Sequence, residues 1–302
     1  MPAGNLSDGY SEYNMIASSM KTTTGLFCGD CIDLMKNIPS QSIDMILCDL
    51  PYGTTNCRWD TIIPLKELWQ EYKRIAKPNT AIVLTATQPF ATQLIHSNIG
   101  QFRYDMVWKK NIATGFLNAN KMPLRNHELV LVFYESLPVF NPQMTQGHPP
   151  KHSFDKNKSK GKKRGDKLDG EVYGVTKPTK SSGGSTSRFP TSVIEIPDIG
   201  RTAKERIGHP TQKPVSLMEY LIKTYTNQGM MVLDNCMGSG TTAVACDILD
   251  RQWIGMEKDS DFFKKSVERI NLNRSSLSKP LLVINTENTA ATIPATITEK
   301  KQ

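Results

Sequence analysis

Residues 232–249 read VLDNCMGSGTTAVACDIL. An apolar stretch closes on an acid, Asp234; Gly238 and Gly240 then bracket a serine, and a run with helical spacing starts at Thr241. Strand, tight turn and helix in this order mark a βα unit. Its glycines let the backbone come close to a ligand, and its helix N-terminus offers unbonded N–H groups. The pattern lacks the third glycine of the dinucleotide fingerprint and the Gly-Lys-Ser/Thr of a phosphate loop, so neither a nicotinamide nor an ATP ligand gains from it. A plain tight turn would leave the same two glycines. About twenty residues on, QWIGME (252–257) ends a second strand in Glu257, placed to accept hydrogen bonds from two ribose hydroxyls. Glycine loop and strand-end acid together point to a ribonucleoside at the C-terminal edge of a sheet; a solvated acid after a strand is the plainer alternative for Glu257.

The alternation continues outward. PVSLMEYLIKTYTN (214–227) has helical spacing before the strand MMVLDN (230–235), and TTAVACDIL (241–249) and DFFKKSVERINLN (261–273) are helical on either side of QWIGME. In the first half GLFCGD (25–30), SIDMILCD (42–49), AIVLTA (81–86), FRYDMVWKK (102–110) and HELVLVFYE (127–135) read as strands. CIDLMKNI, PLKELWQEYKRIA (64–76) and PFATQLIHSN (89–98) read as helices. Between Lys151 and Arg188 eleven Lys or Arg stand against four acids, with Gly, Ser and Pro plentiful, which marks an insert. The predicted fold is α/β: a doubly wound, seven-stranded, mostly parallel sheet interrupted by a basic inserted region. The expected divisions are a disordered leader at 1–23, a first half at 24–140, the insert at 141–200, a second half at 201–275 and a disordered tail at 276–302 despite its apolar LLVIN.

With 38% hydrophobic and 22% charged residues over 302 positions, the chain can bury a full core. Its formal charge of +8 favours a polyanionic partner, the alternative being a merely soluble basic protein. No run approaches the roughly 18 apolar residues of a membrane span, and the N-terminal stretch lacks the basic start and apolar core of a signal, so no membrane partner and a cytoplasmic location are expected. The six cysteines sit mostly inside apolar or strand-like stretches of a chain too large to need stapling, so reduced thiols are expected. The CxxC at 28–31 has no second pair at metal spacing, and no metal is expected.

The second informative stretch is CDLPYGTTNCRWD (48–60), in which a strand ends on an acid, a proline and an aromatic before a glycine. CDLPYG is similar to the D-P-P-Y motif of the S-adenosylmethionine-dependent DNA amino-methyltransferases, and VLDNCMGSGTT resembles their cofactor loop, usually D-P-F-x-G-S-G-T. HPTQKPVSLMEYLI (209–222) is similar to their H-x-T-Q-K-P segment, GDCIDLMKNIPSQSIDMI to the lead-in of their catalytic strand, and the W-K and H-E-x-V-L-V-F strands match as well. The likeness covers roughly residues 24–273 except the insert, and the order of catalytic half, variable insert and cofactor half resembles the β group of the family.

That resemblance implies a class I methyltransferase-like sheet, S-adenosylmethionine as methyl donor, and double-stranded DNA as partner. The implied reaction is transfer to N6 of a flipped adenine, since the aspartate-led motif goes mostly with adenine. It assigns Asp49, Leu50, Pro51 and Tyr52 to catalysis: the Asp49 carboxylate and the Leu50 carbonyl take the two amino hydrogens, and Tyr52 supports the everted ring. It assigns Asp30, with Cys31 beside it, to the cofactor's adenine and Glu257 to its ribose. Lys213 and Pro214, with Thr211, would shape the methionine end, and Asp234 would meet its amino group. Asn235, Cys236, Gly238, Gly240 and Thr241 would line the loop. A helix cap is the plainer alternative for Asp30, a core tyrosine for Tyr52 and a solvated loop for the insert. The sequence departs from the family at Leu50, in place of the first proline, and at Asn235 and Cys236, in place of Pro and Phe; Leu50 keeps the carbonyl but loses rigidity, and Cys236 should cover the cofactor less well than a phenyl ring. An N4-cytosine DNA methyltransferase, an RNA methyltransferase and a catalytically idle nucleic-acid-binding module stay open. Related enzymes are often homodimers and belong to restriction-modification systems, but neither an interface nor a partner nuclease is legible.

Overall fold

The computed structural model describes residues 24–55, 57, 60–150, 184–200, 203, 205–285 and 290–292. The chain falls into two compact units, Met1–Asn141 with Ser192–Gln302, and Pro142–Thr191. The predicted leader and residues 151–183 of the basic insert lie outside the described residues.

In the larger unit the described strands are β1 (Gly25–Cys28), β2 (Ile43–Cys48), β3 (Ala76–Ala86), β4 (Phe102–Thr114), β5 (Arg125–Phe133), β6 (Val193–Glu195), β7 (Met231–Asp234), β8 (Gln252–Glu257), β9 (Val283–Asn285) and β10 (Ala290–Thr292). They form one sheet in the order β6-β4-β5-β3-β2-β7-β8-β1-β10-β9. The central run β3-β2-β7-β8-β1 is parallel throughout, and β5 runs against both β3 and β4. Among the described residues six helices cover it: α1 (Cys31–Met35), α2 (Leu65–Ile75), α3 (Phe90–Ser97), α4 (Val215–Tyr225), α5 (Thr241–Ile248) and α6 (Ser260–Ser276).

The strands read as unbroken apolar runs because both faces of the sheet are buried. Met45 and Leu47 of β2, Ala81 and Val83 of β3, and Val130 and Val132 of β5 point into one core with residues of α4, α5 and α6. Their neighbours Ile46 and Cys48, Ile82 and Leu84, and Leu131 and Phe133 point into the other with residues of α1, α2 and α3. Period-two alternation thus feeds a three-layer sandwich.

The sheet departs from expectation in having ten strands rather than seven. The additions, β6, β9 and β10, are three residues each, too short for periodicity to register. They form because edge strands have unpaired backbone groups: β6 adds parallel to β4, and β10 pairs antiparallel with β1 through Gly25↔Thr292 and Phe27↔Ala290. The expectation of a disordered tail is corrected over 276–285 and 290–292, where α6 runs on to Ser276 and LLVIN supplies β9. In the smaller unit Thr145 and Arg188 exchange backbone hydrogen bonds of 3.0 and 2.9 Å, closing an antiparallel bridge.

One feature of the topology positions the candidate site. From β2 the chain crosses through α2 to β3 on one side, and from β7 it crosses through α5 to β8 on the other, while β2 and β7 are hydrogen-bonded neighbours. Their C-terminal ends therefore border the crevice where an open α/β sheet changes direction, and ligands bind in such a crevice.

Candidate active site

Asp49 and Asp234 end the two strands beside that crevice, Asp49 just past β2 and Asp234 as the last residue of β7. Asp49 sits in a network drawn from distant segments. Its Oδ1 accepts from the Tyr52 hydroxyl at 2.7 Å and from the Thr85 hydroxyl, and its Oδ2 accepts from Lys213 Nζ at 2.7 Å. Lys213 Nζ also lies 3.1 Å from Glu128 Oε2, and Lys110 pairs with Glu128 Oε1 and, at 3.4 Å, with Asp198. The Tyr52 hydroxyl reaches Glu128 Oε2 as well, at 3.3 Å, so one proton serves two carboxylates.

The charges in this network stabilise one another. Burial works against the Lys213 charge, but Asp49 and Glu128 hold its ammonium above the ordinary lysine range. Burial likewise works against an ionised Glu128, yet Lys213 and then Lys110 hold its carboxyl down at about 2. The Tyr52 phenol is pushed up, first by burial and then by Asp49 and Glu128, so it remains a donor. Its half-exposed ring stacks on Phe90 with centroids 5.5 Å apart, and Lys213 Nζ is 5.6 Å from its centroid. Leu50 is buried and Pro51 partly so, and beyond them the backbone N–H groups of Gly53, Thr54 and Thr55 all donate to Asp60, at 2.8, 2.9 and 2.7 Å. Burial opposes ionisation of Asp60, but the Thr55 hydroxyl and those N–H groups draw its carboxyl below the usual range.

The loop after β7 is held differently. Asp234 is buried; Oδ1 accepts the Cys236 N–H at 3.0 Å and Oδ2 the Thr242 hydroxyl at 2.6 Å, while burial pushes its carboxyl up to about 6. Glu257 Oε2 accepts the Gly238 N–H and Oε1 the Asp259 N–H, both at 2.8 Å, and burial again raises its pKa. Gly238 and Gly240 have φ of 52° and 76°. A side chain on Gly238 would also meet the His209 ring at 3.2 Å, and one on Gly240 would meet Ile270 at 3.2 Å, so packing as well as ligand approach calls for glycine here. Thr241 donates to the Lys213 carbonyl at 3.2 Å and accepts from Arg269 at 2.9 Å, tying the glycine loop to the H-x-T-Q-K-P segment.

Several expected residues have a structural duty besides the role expected of them. Asp30 caps α1 by accepting the Ile32 N–H at 3.0 Å, and its other oxygen meets Lys258 Nζ at 3.1 Å. Cys31, buried, and Cys236 bring their thiols together, with Cys48 beside them, and all three are raised out of the thiolate range. Asn235 is buried and accepts the Tyr72 hydroxyl at 2.5 Å, a bond the family's proline could not make. Pro214 is buried at the start of α4, whereas the Thr211 side chain is exposed. Lys213, expected at the methionine end, has its ammonium on the Asp49 carboxylate. The sequence does not single out Thr85, Lys110 or Asp60; Glu128 carries a signal, as the acid inside an otherwise apolar strand. Among the described residues no three His, Cys, Asp or Glu side chains gather as a metal site, and no helix is long and apolar enough to cross a membrane.

A mixed, mostly parallel sheet with an acid-led turn and a glycine loop on neighbouring strand ends places the chain in the class I methyltransferase fold. The sequence model of the N6/N4 DNA methylases, described as DNA methylase, matches residues 43–268, and the chain belongs to that family. The Type II methyltransferase M.HpaI of Haemophilus parainfluenzae is 25% identical over 258 residues, 82% of this chain and 74% of that protein. Among solved structures, the M1.HpyAVI–SAM complex aligns over 82% of this chain and 98% of its own, with TM-score 0.53 and 23% identity. The cytosine-N4-specific PvuII DNA methyltransferase aligns over 83% and 87%, with TM-score 0.55 and 14% identity. At these identities the structures speak for the fold.

Proposed function

We propose that this chain moves a methyl group from S-adenosylmethionine to N6 of an adenine turned out of double-stranded DNA. The observation that carries the proposal is the Asp49 carboxylate at the end of β2, held by Thr85, Tyr52 and Lys213 next to the glycine loop that ends β7.

The donor set suits S-adenosylmethionine. Glu257 offers acceptors to ribose hydroxyls, half-exposed Asp30 has an oxygen for an adenine amine, and the glycine loop admits a chain close to its backbone. Bound there, the cofactor would supply a methyl group made electrophilic by a sulfonium sulfur. The chain's own part concerns the amine. An exocyclic amine is a poor nucleophile because its lone pair is delocalised into the ring, and two acceptors on its hydrogens favour the pyramidal geometry that frees the pair. Asp49 takes one hydrogen and the Leu50 carbonyl takes the other. The nitrogen turns positive as its new carbon bond forms, and the carboxylate stabilises that charge; the surplus proton then leaves to Asp49 or to water. With the cofactor bound, its sulfur would keep the electron pair of the methyl–sulfur bond, so the charges would balance.

Lys213 does not block this. Asp49 has about four lone-pair directions, of which three are engaged, and an ammonium on the far oxygen fixes the plane of the carboxylate. Tyr52, anchored through its hydroxyl and backed by Phe90, offers the everted base a flat partner. The aspartate-led motif favours adenine over cytosine. The insert, rich in Lys and Arg, is the part proposed to grip phosphates and choose the site.

The test is label transfer. The full chain is incubated with unmethylated plasmid DNA and tritiated S-adenosylmethionine, and the DNA is digested to nucleosides. Label in N6-methyldeoxyadenosine is the expected result; label in N4-methyldeoxycytidine moves the assignment to the PvuII-like chemistry, and no label in DNA overturns it.

A further inference from the structure

The edge of the sheet that carries Asp49 also carries a feature that methyl transfer does not use. Pairing of β2 with β3 ends at Cys48↔Leu84, and pairing of β3 with β5 ends at Ala86↔Leu129. Strands β4 and β5 go on without them, through Trp108↔Glu128 and Lys109↔His127 to Thr114↔Arg125. Glu128, the first β5 residue beyond that shared limit, is the one bonded to Lys213 and Tyr52. The hairpin therefore starts beside the catalytic carboxylate and projects past it, by roughly 10 Å over the β5 positions from Glu128 to Arg125 at strand rise, the extra β4 residues between Lys109 and Thr114 being taken up in a shift of register.

Its tip is apolar and bare. Gly115 turns the chain at φ 91° into a 3-10 turn, Phe116–Asn118, where Phe116 is 81% and Leu117 100% exposed; Met122 follows at 57%. Isolated exposed apolar side chains mean little, but a group of them at the end of a projecting arm marks a contact site. The charge around them selects the partner. From Lys109 to His127 the sequence contains no acid, and Lys121 and Arg125 are both exposed. Apolar tip, cationic flanks and a root bonded to Tyr52 suit a polyanion with a stacked apolar interior.

We propose that the β4–β5 hairpin is a duplex-DNA-binding element: Phe116 and Leu117 enter the base stack where the target nucleotide has left it, and Lys121 and Arg125 lie on neighbouring phosphates. The proposal rests on the reading that this chain methylates an everted base. Eversion leaves the flanking bases without a neighbour, and an apolar side chain in the gap restores part of the lost contact. The hairpin is distinct from the 141–200 insert: the insert would choose the sequence, whereas this arm would act at the target position.

The test uses the full chain, a Phe116→Ala/Leu117→Ala variant and a Lys121→Glu/Arg125→Glu variant. Substrates are short duplexes carrying the site found by modified-base sequencing of plasmid DNA, with the target base either paired or mispaired. The apolar variant should slow single-turnover methylation of the paired duplex by about tenfold while staying within about threefold of wild type on the mispaired one, where eversion is easier. Cofactor affinity should not change. The charge-reversal variant should weaken binding of both duplexes alike and flatten its salt dependence. Wild-type rates from the apolar variant, or an equal loss on both duplexes, would overturn the proposal. So would sedimentation velocity showing that the tip mutations split a dimer, which would make it a contact between copies. Should wild type label no DNA, it is the methylation reading that fails, and fluorescence anisotropy with a mixed-sequence duplex still judges the arm: undiminished binding by both variants ends it, and a clear loss by both supports it.

Discussion

The ends of β2 and β7 are neighbours on one edge of the sheet, yet they are held by opposite means. At the β2 end, side-chain charge meets side-chain charge: Asp49 and Glu128 share Lys213, and Lys110 closes the set. At the β7 end, Asp234 and Glu257 accept from backbone N–H groups and a threonine, with no cation at ion-pair distance among the described residues. The consequence is visible in two carboxyls of similar burial. Cations hold Glu128 down at about 2, whereas burial carries Asp234 up to about 6 despite its hydrogen bonds. On the proposed function, the first end would manage charge that appears during the reaction, and the second would hold a loop in shape. Substitutions should therefore separate turnover from cofactor binding according to the end they touch.

The largest separation is expected from Asp49→Ala. Removing the acceptor that shapes the amine should lower methyl transfer on the order of 10³-fold or more. Calorimetry should find S-adenosylmethionine affinity within about threefold of wild type, because none of the β7-end bonds includes Asp49. Retained turnover would break the comparison at its base.

Glu128→Gln should come next. It removes one carboxylate from a buried set and leaves Lys110 and Lys213 short of a partner, a change that costs about 3–5 kcal/mol when buried pairs are broken. Denaturant unfolding should report that loss. Turnover should also drop, on the order of 10²-fold, because Lys213 and Tyr52 lose the contact that orients them towards Asp49. A stable variant with normal turnover would reduce Glu128 to packing.

These residues also mark where sequence reading stops. The central strands were legible because both faces are buried, so SIDMIL, AIVLTA and LVLVF stand out as apolar runs, and CDLPYG and the glycine loop were legible because turn chemistry is local. The partners of Asp49 are not local. Thr85 is 36 positions away and Lys213 is 164, brought together only by sheet order and by the fold of the H-x-T-Q-K-P segment. Nothing in the neighbourhood of Lys213 in sequence tells that its ammonium turns to Asp49 at the end of β2. Asn235 is a similar case: its departure from the family's proline makes sense only once Tyr72, in α2, is seen to donate to it.

The β7 end can be probed through pH. His209 packs beside Gly238, and burial lowers its imidazole to about 4 from the ordinary 6.5. Between pH 6.5 and 4 the unfolded chain therefore binds a proton that the folded chain refuses, so this residue makes stability fall as pH falls through that window. Asp234 acts in the opposite direction below about pH 6, since its raised pKa lets the folded state bind the proton first. Comparing His209→Gln with wild type cancels the Asp234 contribution. The variant should gain on wild type by on the order of 3 kcal/mol between pH 6.5 and 4, read from denaturant midpoints. Parallel stability curves would show that the imidazole is not held neutral.

The smallest effect is expected at Cys236, where the chain carries a thiol in place of the family's phenylalanine. If the β7 end is a shaped loop rather than a charged one, the size of this side chain should set how well it covers the cofactor. Cys236→Phe should then tighten S-adenosylmethionine binding by a few-fold, about 1 kcal/mol, in calorimetry. The same change must displace the contacts of Cys236 with Cys31 and Cys48, and overpacking of that kind costs about 1–3 kcal/mol of stability. Affinity and stability should therefore move in opposite directions. Unchanged affinity with lowered stability would show that position 236 faces the thiols and not the cofactor, and the thiol would then belong to the packing between α1 and β2 rather than to the binding loop.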